Sequence, residues 1–127
     1  MSETKKQLVL LVDDDPLIIR MYQGKLVDEG YEVKTAFDGK AALELAKQNK
    51  PDFILMDMMM PQMNGVDALK ALKADAETKD IPVFILTNLG DRQEDIERVK
   101  QIGAKDYFVK VEVSPKELVK RIKQELH

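Results

Sequence analysis

Residues 8–16 have the sequence LVLLVDDDP, in which five apolar residues precede three aspartates and a proline. An unbroken apolar run of this length is typical of a strand that is buried on both faces of a sheet. An aspartate directly before a proline is a common helix start, with Asp15 as the N-cap and Pro16 in the first turn. The stretch therefore predicts a buried strand that is followed at once by a helix.

The same pairing of a short apolar run with an amphipathic stretch recurs along the chain. Strands and helices that alternate in this way predict an α/β fold, a doubly wound five-stranded parallel sheet with helices on both faces. The second strand is the least apolar and is expected near an edge of the sheet. We expect strands at residues 8–12, 32–36, 53–56, 82–86 and 106–109, and helices at 16–29, 40–48, 66–74, 93–102 and 116–126.

Short motifs mark the ends of several predicted helices. Ser114 with Glu117, and Asp91 with Glu94, have the spacing of a capping box, in which the first side chain caps a helix. Gly30 and Gly103 stand where helices commonly end in a left-handed residue. These motifs support helix boundaries close to the ones expected from periodicity.

The composition limits the classes of function. The 127 residues predict one domain over residues 1–127, with residues 1 to about 6 flexible. The net charge is −3 with acidic and basic residues interspersed, so direct nucleic-acid binding is not expected. The chain has no cysteine, and no apolar run approaches the roughly 20 residues that span a bilayer. With a polar N-terminus, we expect a cytoplasmic protein that does not bind membranes.

Polar side chains stand where the predicted strands end. Parallel strands end at the same edge of a sheet, and open α/β sheets bind their ligands there. Three carboxylates in one crevice need a countercharge, and oxygen ligands without cysteine select a hard cation such as Mg²⁺. A lysine and a threonine hydroxyl suit phosphoryl oxygens, so the set predicts a phosphoryl-transfer site. Its members are Asp13 and Asp14 after the first strand, Asp57 ending the third, Thr87 at the end of the fourth, and Lys110 at the end of the fifth.

Each of these residues also has a purely structural explanation. Asp15 is best explained as a helix cap, whereas capping does not explain Asp57 at the end of another strand. A lysine at a strand end is usually solvated, and a threonine is a good strand former. The methionines around Asp57 are best explained as adaptable core filling, with Pro61 and Gly65 shaping the turn. The phosphoryl-transfer interpretation therefore rests on the whole set.

The chain resembles the bacterial response-regulator receiver domain of two-component signalling, in the CheY-like superfamily. The likeness runs from about residue 7 to residue 126, and its motifs are VDDD at 12–15, DMMMPQMNG at 57–65, Thr87, and DYFVK at 106–110. The resemblance implies a flavodoxin-like or CheY-like (βα)5 fold with strand order 2-1-3-4-5. It also implies a signalling switch that promotes its own phosphorylation and dephosphorylation, rather than a turnover enzyme.

The resemblance implies that Asp57 accepts a phosphoryl group from a phosphohistidine of a sensor histidine kinase or a histidine phosphotransfer protein. Asp14 would bind Mg²⁺ directly, with Mn²⁺ as a substitute, and Asp13 would bind it through water. Asp57 and the backbone carbonyl of Met59 would complete the protein ligands. Lys110 would pair with the phosphoryl group.

The resemblance also implies how the signal leaves the site. Thr87 would move to hydrogen-bond the phosphoryl group, and Tyr107 would repack as Thr87 moves. The repacking would alter the surface formed by the fourth helix, fifth strand and fifth helix, which would bind an unknown downstream protein. The chain would act as a monomer or as a phosphorylation-dependent dimer.

Three positions are expected to modulate this chemistry. In the family, the side chains two residues after the acceptor and two after the threonine border the phosphoryl group, and here they are Met59 and Leu89. Neither can orient a water, so we expect slow self-dephosphorylation. An unchanged aspartyl-phosphate half-life in a Met59→Asn, Leu89→Glu double variant would contradict this. Asn88 is larger than the residue usual after the threonine and is expected to narrow access to Asp57.

One departure from the family follows Lys110. The family usually has a proline there with a cis peptide, whereas this chain has Val111. A cis bond before a residue other than proline costs roughly 2.5–4 kcal/mol, so we expect trans. Either Val111 or Asn88 could impair switching without removing phosphorylation, which leaves open an impaired receiver that acts as a binding module.

Two further classes compete with the receiver interpretation. An FMN-binding, flavodoxin-like electron carrier would need a hydroxyl- and glycine-rich phosphate loop where this chain has three aspartates, and it would be yellow. A phosphohydrolase with an aspartate nucleophile commonly has a second acid two residues later, where this chain has Met59. Turnover of an aryl phosphate would support the hydrolase. The sequence leaves open a stand-alone receiver or a domain of a longer regulator.

Overall fold

Five parallel strands and five helices alternate along the chain. The computed structural model describes residues 6–58, 60, 65–88, 91–110 and 112–126. In chain order the elements are β1 (Leu8–Val12), α1 (Pro16–Asp28), β2 (Glu32–Ala36), α2 (Gly39–Asn49), β3 (Phe53–Asp57), α3 (Gly65–Ala74), β4 (Val83–Thr87), α4 (Gln93–Ile102), β5 (Asp106–Val109) and α5 (Pro115–Leu126).

The strands form one parallel sheet in the order β2-β1-β3-β4-β5. This order and the five helices confirm the fold class expected from the sequence. β2 lies at one edge, as predicted, and its exposure alternates along the strand, whereas β3 and β4 are buried throughout. Because all five strands run the same way, the residues that follow β1, β3, β4 and β5 meet at one edge.

The strand predicted at 82–86 is shifted by one residue, since β4 is Val83–Thr87. Pro82 has no backbone N–H to donate to a neighbouring strand, so the ladder begins with Val83. The shift places Thr87 inside the strand, where it pairs in register with Val109 of β5. The third helix begins one residue earlier than predicted, at Gly65.

Alternate residues of each buried strand face two separate apolar layers. On one face, α1 and α5 cover a core that contains a row of aromatic rings. Tyr31 contacts Phe53 edge-on at 5.5 Å, Phe53 contacts Phe84 edge-on at 5.8 Å, and Phe84 stacks on Phe108 at 6.1 Å between ring centroids. On the other face, α2, α3 and α4 cover an aliphatic and methionine-rich core. Among the described residues, no helix is long and apolar enough to cross a bilayer.

The helix ends agree with the sequence motifs except at α4. Asp15 caps α1, with its Oδ1 accepting from the Leu17 N–H at 2.9 Å, and Ser114 Oγ accepts from the Glu117 N–H at 3.1 Å before α5. The cap predicted at Asp91 is wrong, because the N-cap of α4 is Arg92 and no side chain caps that helix. The Asp91 carboxylate instead accepts from the Asn88 N–H at 2.6 Å and closes a turn at the end of β4.

The two glycines predicted at the ends of helices have the expected backbone conformation. Gly30 follows α1 with φ of 95°, and Gly103 follows α4 with φ of 130°. Residues other than glycine rarely adopt such φ values. The tight chain reversals after α1 and α4 therefore depend on these two residues.

Candidate functional site

Two buried carboxylates meet at the carboxyl edge of the sheet. Asp13 directly follows β1 and is fully buried, and Asp57 ends β3 with 2% of its surface exposed. The Asp13 N–H donates to the Ala36 carbonyl at 3.1 Å, and its Oδ1 accepts from the Asp15 N–H at 3.0 Å. Exposed Asp14 completes a group in which each carboxylate can offer an oxygen within 4.8 Å of the other two. The three acids predicted for a metal site are therefore together.

Lys110 reaches into this group from the end of β5. Its backbone N–H donates to the Thr87 carbonyl at 2.9 Å, which anchors the residue to β4. Its Nζ lies 2.9 Å from Asp13 Oδ2 and 3.3 Å from Asp57 Oδ1. The ammonium thus bridges acids that are 44 positions apart in the chain and that only the sheet brings together.

The charges of this group do not balance. Burial opposes the charged form of Lys110, but the hydrogen bond and charge of Asp13, together with Asp57, outweigh it and raise its pKa. Burial also raises the pKa of Asp13, and the Lys110 ammonium and the Asp15 N–H only partly offset that rise. One ammonium faces three carboxylates, so the site retains an excess of negative charge that a bound cation would relieve.

Thr87 is fully buried at the end of β4. Its hydroxyl donates to the Phe108 carbonyl of β5 at 3.4 Å, which is long for an O–H···O hydrogen bond. The prediction placed this hydroxyl at the carboxyl edge, and the structure shows it there with a backbone acceptor. A bond of this length is weak, so the hydroxyl can change partner at little cost.

The sequence model of the family described as "Response regulator receiver domain" matches residues 9–123. This chain belongs to that family. The receiver is 42% identical over 102 residues to Response regulator PleD of Caulobacter vibrioides, covering 80% of this chain and 22% of that protein. It is 37% identical over 124 residues to the DNA-binding response regulator MtrA of Mycolicibacterium smegmatis, covering 98% of this chain and 52% of that protein.

A solved structure agrees with these relatives. The chemotaxis response regulator CheY4 of Vibrio cholerae superposes with a TM-score of 0.86 at 34% identity, over 95% of this chain and 99% of that one. The receiver thus spans about half of MtrA and about a fifth of PleD, but nearly all of CheY4. These matches favour a receiver over the FMN carrier and the hydrolase considered from the sequence.

The donor set of the receiver fits a hard divalent cation. All three side chains offer oxygen, and exposed Asp14 leaves the group open to the waters that Mg²⁺ usually keeps. Asp13, Asp14 and Asp57 would hold the ion. The Met59 carbonyl, predicted as a further ligand, lies outside the described residues.

Tyr107 lies on the face of the receiver formed by α4, β5 and α5. The residue is half-buried against the core beneath α4, and its ring lies 5.3 Å from Lys100 Nζ of that helix. Its backbone N–H donates to Asp106 Oδ1 at 2.8 Å. The ring also lines a hollow of about 350 Å³ between α4, β5 and α5. Tyr107 is therefore placed where a change in its packing would reach the surface.

Two residues near the site were not recognised as such from the sequence. A Cβ on Gly65 would lie 2.6 Å from the Asp57 carbonyl oxygen and 2.7 Å from Met58 Cα, so only glycine permits this approach. Tyr22 is buried on α1, and burial raises the pKa of its hydroxyl. The charge of Lys110 lowers this pKa and that of Asp13 raises it. Gly65 could have been suspected because glycine has a low helix propensity and stands at the first position of α3. Nothing in the sequence distinguishes Tyr22 from the apolar residues of α1.

Of the three predicted modulators, Asn88 lies within the described residues. Asn88 is exposed at the end of β4, with its N–H bonded to Asp91. Met59, Leu89 and Val111 lie outside the described residues. The expectations of slow dephosphorylation and of a trans peptide after Lys110 therefore stay predictions.

Proposed function

We propose that this receiver accepts a phosphoryl group on Asp57 from a phosphohistidine donor, in a Mg²⁺-dependent reaction, and that the modification changes partner binding. The observation that carries the proposal is the position of Asp57, almost fully buried at the end of β3 and 3.3 Å from the Lys110 ammonium. Two further carboxylates lie within 4.8 Å of it. A buried acid surrounded by other acids and one ammonium suits a group that takes up an anion together with a metal ion.

The chemistry is an in-line transfer of one phosphoryl group. A carboxylate oxygen of Asp57 forms a bond to phosphorus as the bond from phosphorus to the histidine nitrogen breaks, and that nitrogen keeps the electron pair. A Mg²⁺ ion held by Asp13, Asp14 and Asp57 would supply positive charge to the phosphoryl oxygens. Lys110 stabilises the same oxygens with its ammonium, which Asp13 already orients at 2.9 Å. The residues of this chain thus bind and orient the group, and the bond changes involve only Asp57 and the donor.

The readout begins at Thr87. A phosphoryl group on Asp57 offers the Thr87 hydroxyl a charged acceptor, which is stronger than the Phe108 carbonyl at 3.4 Å. When the hydroxyl leaves β5, the packing of neighbouring Tyr107 changes. The face of α4, β5 and α5 would then bind its protein target differently.

Exposed apolar side chains near Asp14 suit the docking of the phosphodonor protein. Leu17, which is 72% exposed, and Met21 lie four residues apart on α1, and Phe37 follows β2 at the same edge of the sheet. The donor must bring its phosphohistidine to Asp57 at this edge. We therefore assign these side chains to the contact with the histidine kinase or phosphotransfer protein, since burying them would favour binding.

The phosphorylation experiment uses the full chain with acetyl phosphate and Mg²⁺, followed by intact-mass measurement. The expected result is the mass of one added phosphoryl group in the wild type, none in Asp57→Ala, and none when EDTA replaces Mg²⁺. Beryllofluoride with Mg²⁺ should change the backbone amide NMR spectrum of the wild type and leave that of Asp57→Ala unchanged. A phosphoryl group that is still added to Asp57→Ala would contradict the proposal.

Docking is tested separately from chemistry by changing the donor. A Leu17→Asp, Met21→Asp variant should lose about tenfold or more in the rate of transfer from a phosphorylated donor protein, as expected when apolar contacts worth about 1.4 kcal/mol or more are lost. Its rate with acetyl phosphate should be unchanged. Val27→Asp is the matched control, because Val27 is also exposed but lies at the other end of α1. Equal losses with both donors would show that the variant damages the site instead.

A further inference from the structure

Phe108 connects the site to the face of the sheet opposite Tyr107. The acceptor of the Thr87 hydroxyl, at 3.4 Å, is the backbone carbonyl of Phe108. Because side chains alternate along a strand, the Phe108 ring packs in the core beneath α1 and α5, whereas Tyr107 packs against the core on the other face. The bond that Thr87 would give up on phosphorylation is therefore a bond to a residue that faces α5.

The Phe108 ring has a cation of α5 as its neighbour. The ring is almost fully buried and stacks on Phe84 at 6.1 Å between centroids. The guanidinium carbon of Arg121 lies 4.8 Å from the centroid of the same ring, within the roughly 6 Å at which a cation and an aromatic face attract each other. Phe108 is thus bonded to Thr87 through its carbonyl and contacts Arg121 through its ring.

Arg121 has a carboxylate within reach as well as the ring. Its guanidinium lies 4.0 Å from Asp106 Oδ2, at the outer limit of an ion pair and too far for a hydrogen bond. Both side chains are partly exposed, and both residues line the hollow between α4, β5 and α5. The guanidinium therefore lies between two alternative partners, and a small displacement of β5 is enough to change which of them it favours.

We propose that Arg121 is a second readout of phosphorylation, one that exchanges the Phe108 ring for the Asp106 carboxylate. The exchange follows when Thr87 releases the Phe108 carbonyl, so the inference rests on the proposed phosphorylation of Asp57. Before phosphorylation, the guanidinium lies over the ring, as in the structure. Afterwards the ring shifts with its backbone and Arg121 closes on Asp106. The hollow then presents a neutral ion pair, instead of two separate charges, to a protein target.

The packing of α5 favours a movement of this side chain over a movement of the helix. Lys123 holds α5 to Glu29 of α1 at 3.0 Å. Lys123 also lies 5.7 Å from the Tyr31 ring, at the opposite end of the row of aromatic rings. Three further residues of α5 are buried in the core, namely Leu118, Val119 and Ile122. The helix thus stays in place, and Lys123 provides a matched control, a second cation of α5 over a ring that does not contact Thr87.

The first test follows the Arg121 Nε–Hε group by NMR in the full chain with Mg²⁺ as beryllofluoride is added. We expect its signal to shift in the wild type, because an aromatic ring changes the resonance frequency of a nucleus above its face. The shift should be lost in Phe108→Leu, in which the Tyr107 amide should still respond. The side-chain signals of Lys123 should stay unchanged, and a response there as large as that of Arg121 would show a movement of α5 instead of the exchange.

The second test measures the affinity for beryllofluoride. Phe108→Leu removes the partner that Arg121 has before phosphorylation, so it should raise this affinity about two- to fivefold, the equivalent of one exposed cation–π contact. Asp106→Asn removes the charge of the later partner and should lower the affinity by a similar factor, while an oxygen remains to accept from the Tyr107 N–H. Both effects should disappear when Arg121→Gln is also present.

The outcomes separate this proposal from the proposed phosphorylation. A wild type in which Tyr107 responds to beryllofluoride and Arg121 does not would overturn the exchange alone. Effects of Phe108→Leu and Asp106→Asn on affinity that persist in the Arg121→Gln background would also overturn it, because they would arise elsewhere in the fold. A wild type in which no amide responds to beryllofluoride would contradict the phosphorylation of Asp57, and the exchange with it.

Discussion

At the carboxyl edge of the sheet Asp13 and Asp57 face Lys110, whereas at the start of β5 Asp106 faces Arg121 of α5. In the first group, an ammonium lies 2.9 Å and 3.3 Å from the two buried acids. In the second, a guanidinium nitrogen of Arg121 is 4.0 Å from Asp106 Oδ2, and both side chains are partly exposed. The comparison sets a buried ammonium in direct contact with two acids against a partly exposed guanidinium at a longer distance from one acid.

Burial and contact distance explain the difference. Coulomb attraction is strongest at short range and away from water, so an ammonium in direct contact stabilises ionised acids, and a more distant, half-exposed guanidinium does so less. A carboxylate paired with an ammonium can exchange that ammonium for a metal ion, and the ammonium can then pair with a phosphoryl oxygen. Burial, followed by the effect of Asp106, raises the pKa of Glu125 to about 7, so the neutral form of Glu125 favours the fold mainly at low pH. That contribution is lost as the pH rises through about 7.

The largest expected effect comes from removing the cation of the first group. Lys110→Met should lower the free energy of unfolding by about 3 kcal/mol, the low end for breaking a buried ion pair, because Asp13 and Asp57 lose their countercharge. Urea unfolding with and without Mg²⁺ measures this. Mg²⁺ should stabilise the variant more than the wild type, since it can replace the missing charge.

The control for Lys110→Met is Lys70→Met, a lysine exposed on α3. The control should change the free energy of unfolding by less than about 0.5 kcal/mol, as surface substitutions usually do. A Lys110→Met variant as stable as this control would contradict the view that the ammonium holds the acids together.

The second effect moves Asp57 without changing any charge. Gly65→Ala should cost about 1–3 kcal/mol in the free energy of unfolding, because the new methyl group would lie 2.6 Å from the Asp57 carbonyl oxygen. It should also slow phosphorylation by acetyl phosphate. Gly24→Ala is the matched control, since nothing lies within 4 Å of a Cβ there, and it should stabilise helix α1 by about 1 kcal/mol. If both substitutions changed the free energy of unfolding and the phosphorylation rate equally, Gly65 would have no special role in positioning Asp57.

The acids of the first group could be predicted from the sequence because each one ends a strand. Asp13 follows five apolar residues and Asp57 ends another apolar run, so a parallel sheet brings them to one edge whatever the details of packing. The same logic placed Lys110 after β5. Strand composition thus determines both the fold and the location of the site.

The second pair could not be predicted in this way. Arg121 reaches Asp106 only because α5 packs on the sheet with one particular rotation, and that rotation depends on contacts along the whole helix. Local motifs failed for a related reason at Asp91. Its spacing to Glu94 fits a capping box, but the Asn88 N–H at the end of β4 is a competing donor that the spacing does not reveal.

The smallest expected effect concerns Asp15, the third aspartate of the run at 13–15. Its carboxylate is stabilised by a backbone N–H at the start of α1 rather than by a cation. Asp15 Oδ1 accepts from the Leu17 N–H at 2.9 Å, so Asp15→Ala should cost about 1 kcal/mol in the free energy of unfolding, while Asp15→Asn keeps the cap and should cost little. Neither variant should change the affinity for Mg²⁺, measured by following the amide NMR spectrum as Mg²⁺ is added. Asp14→Asn should lower that affinity about tenfold or more, a loss of at least ~1.4 kcal/mol of binding. If Asp15→Asn weakened Mg²⁺ binding as much as Asp14→Asn, then Asp15 would belong with the acids that need a cation, and the helix start would not be sufficient to stabilise its charge.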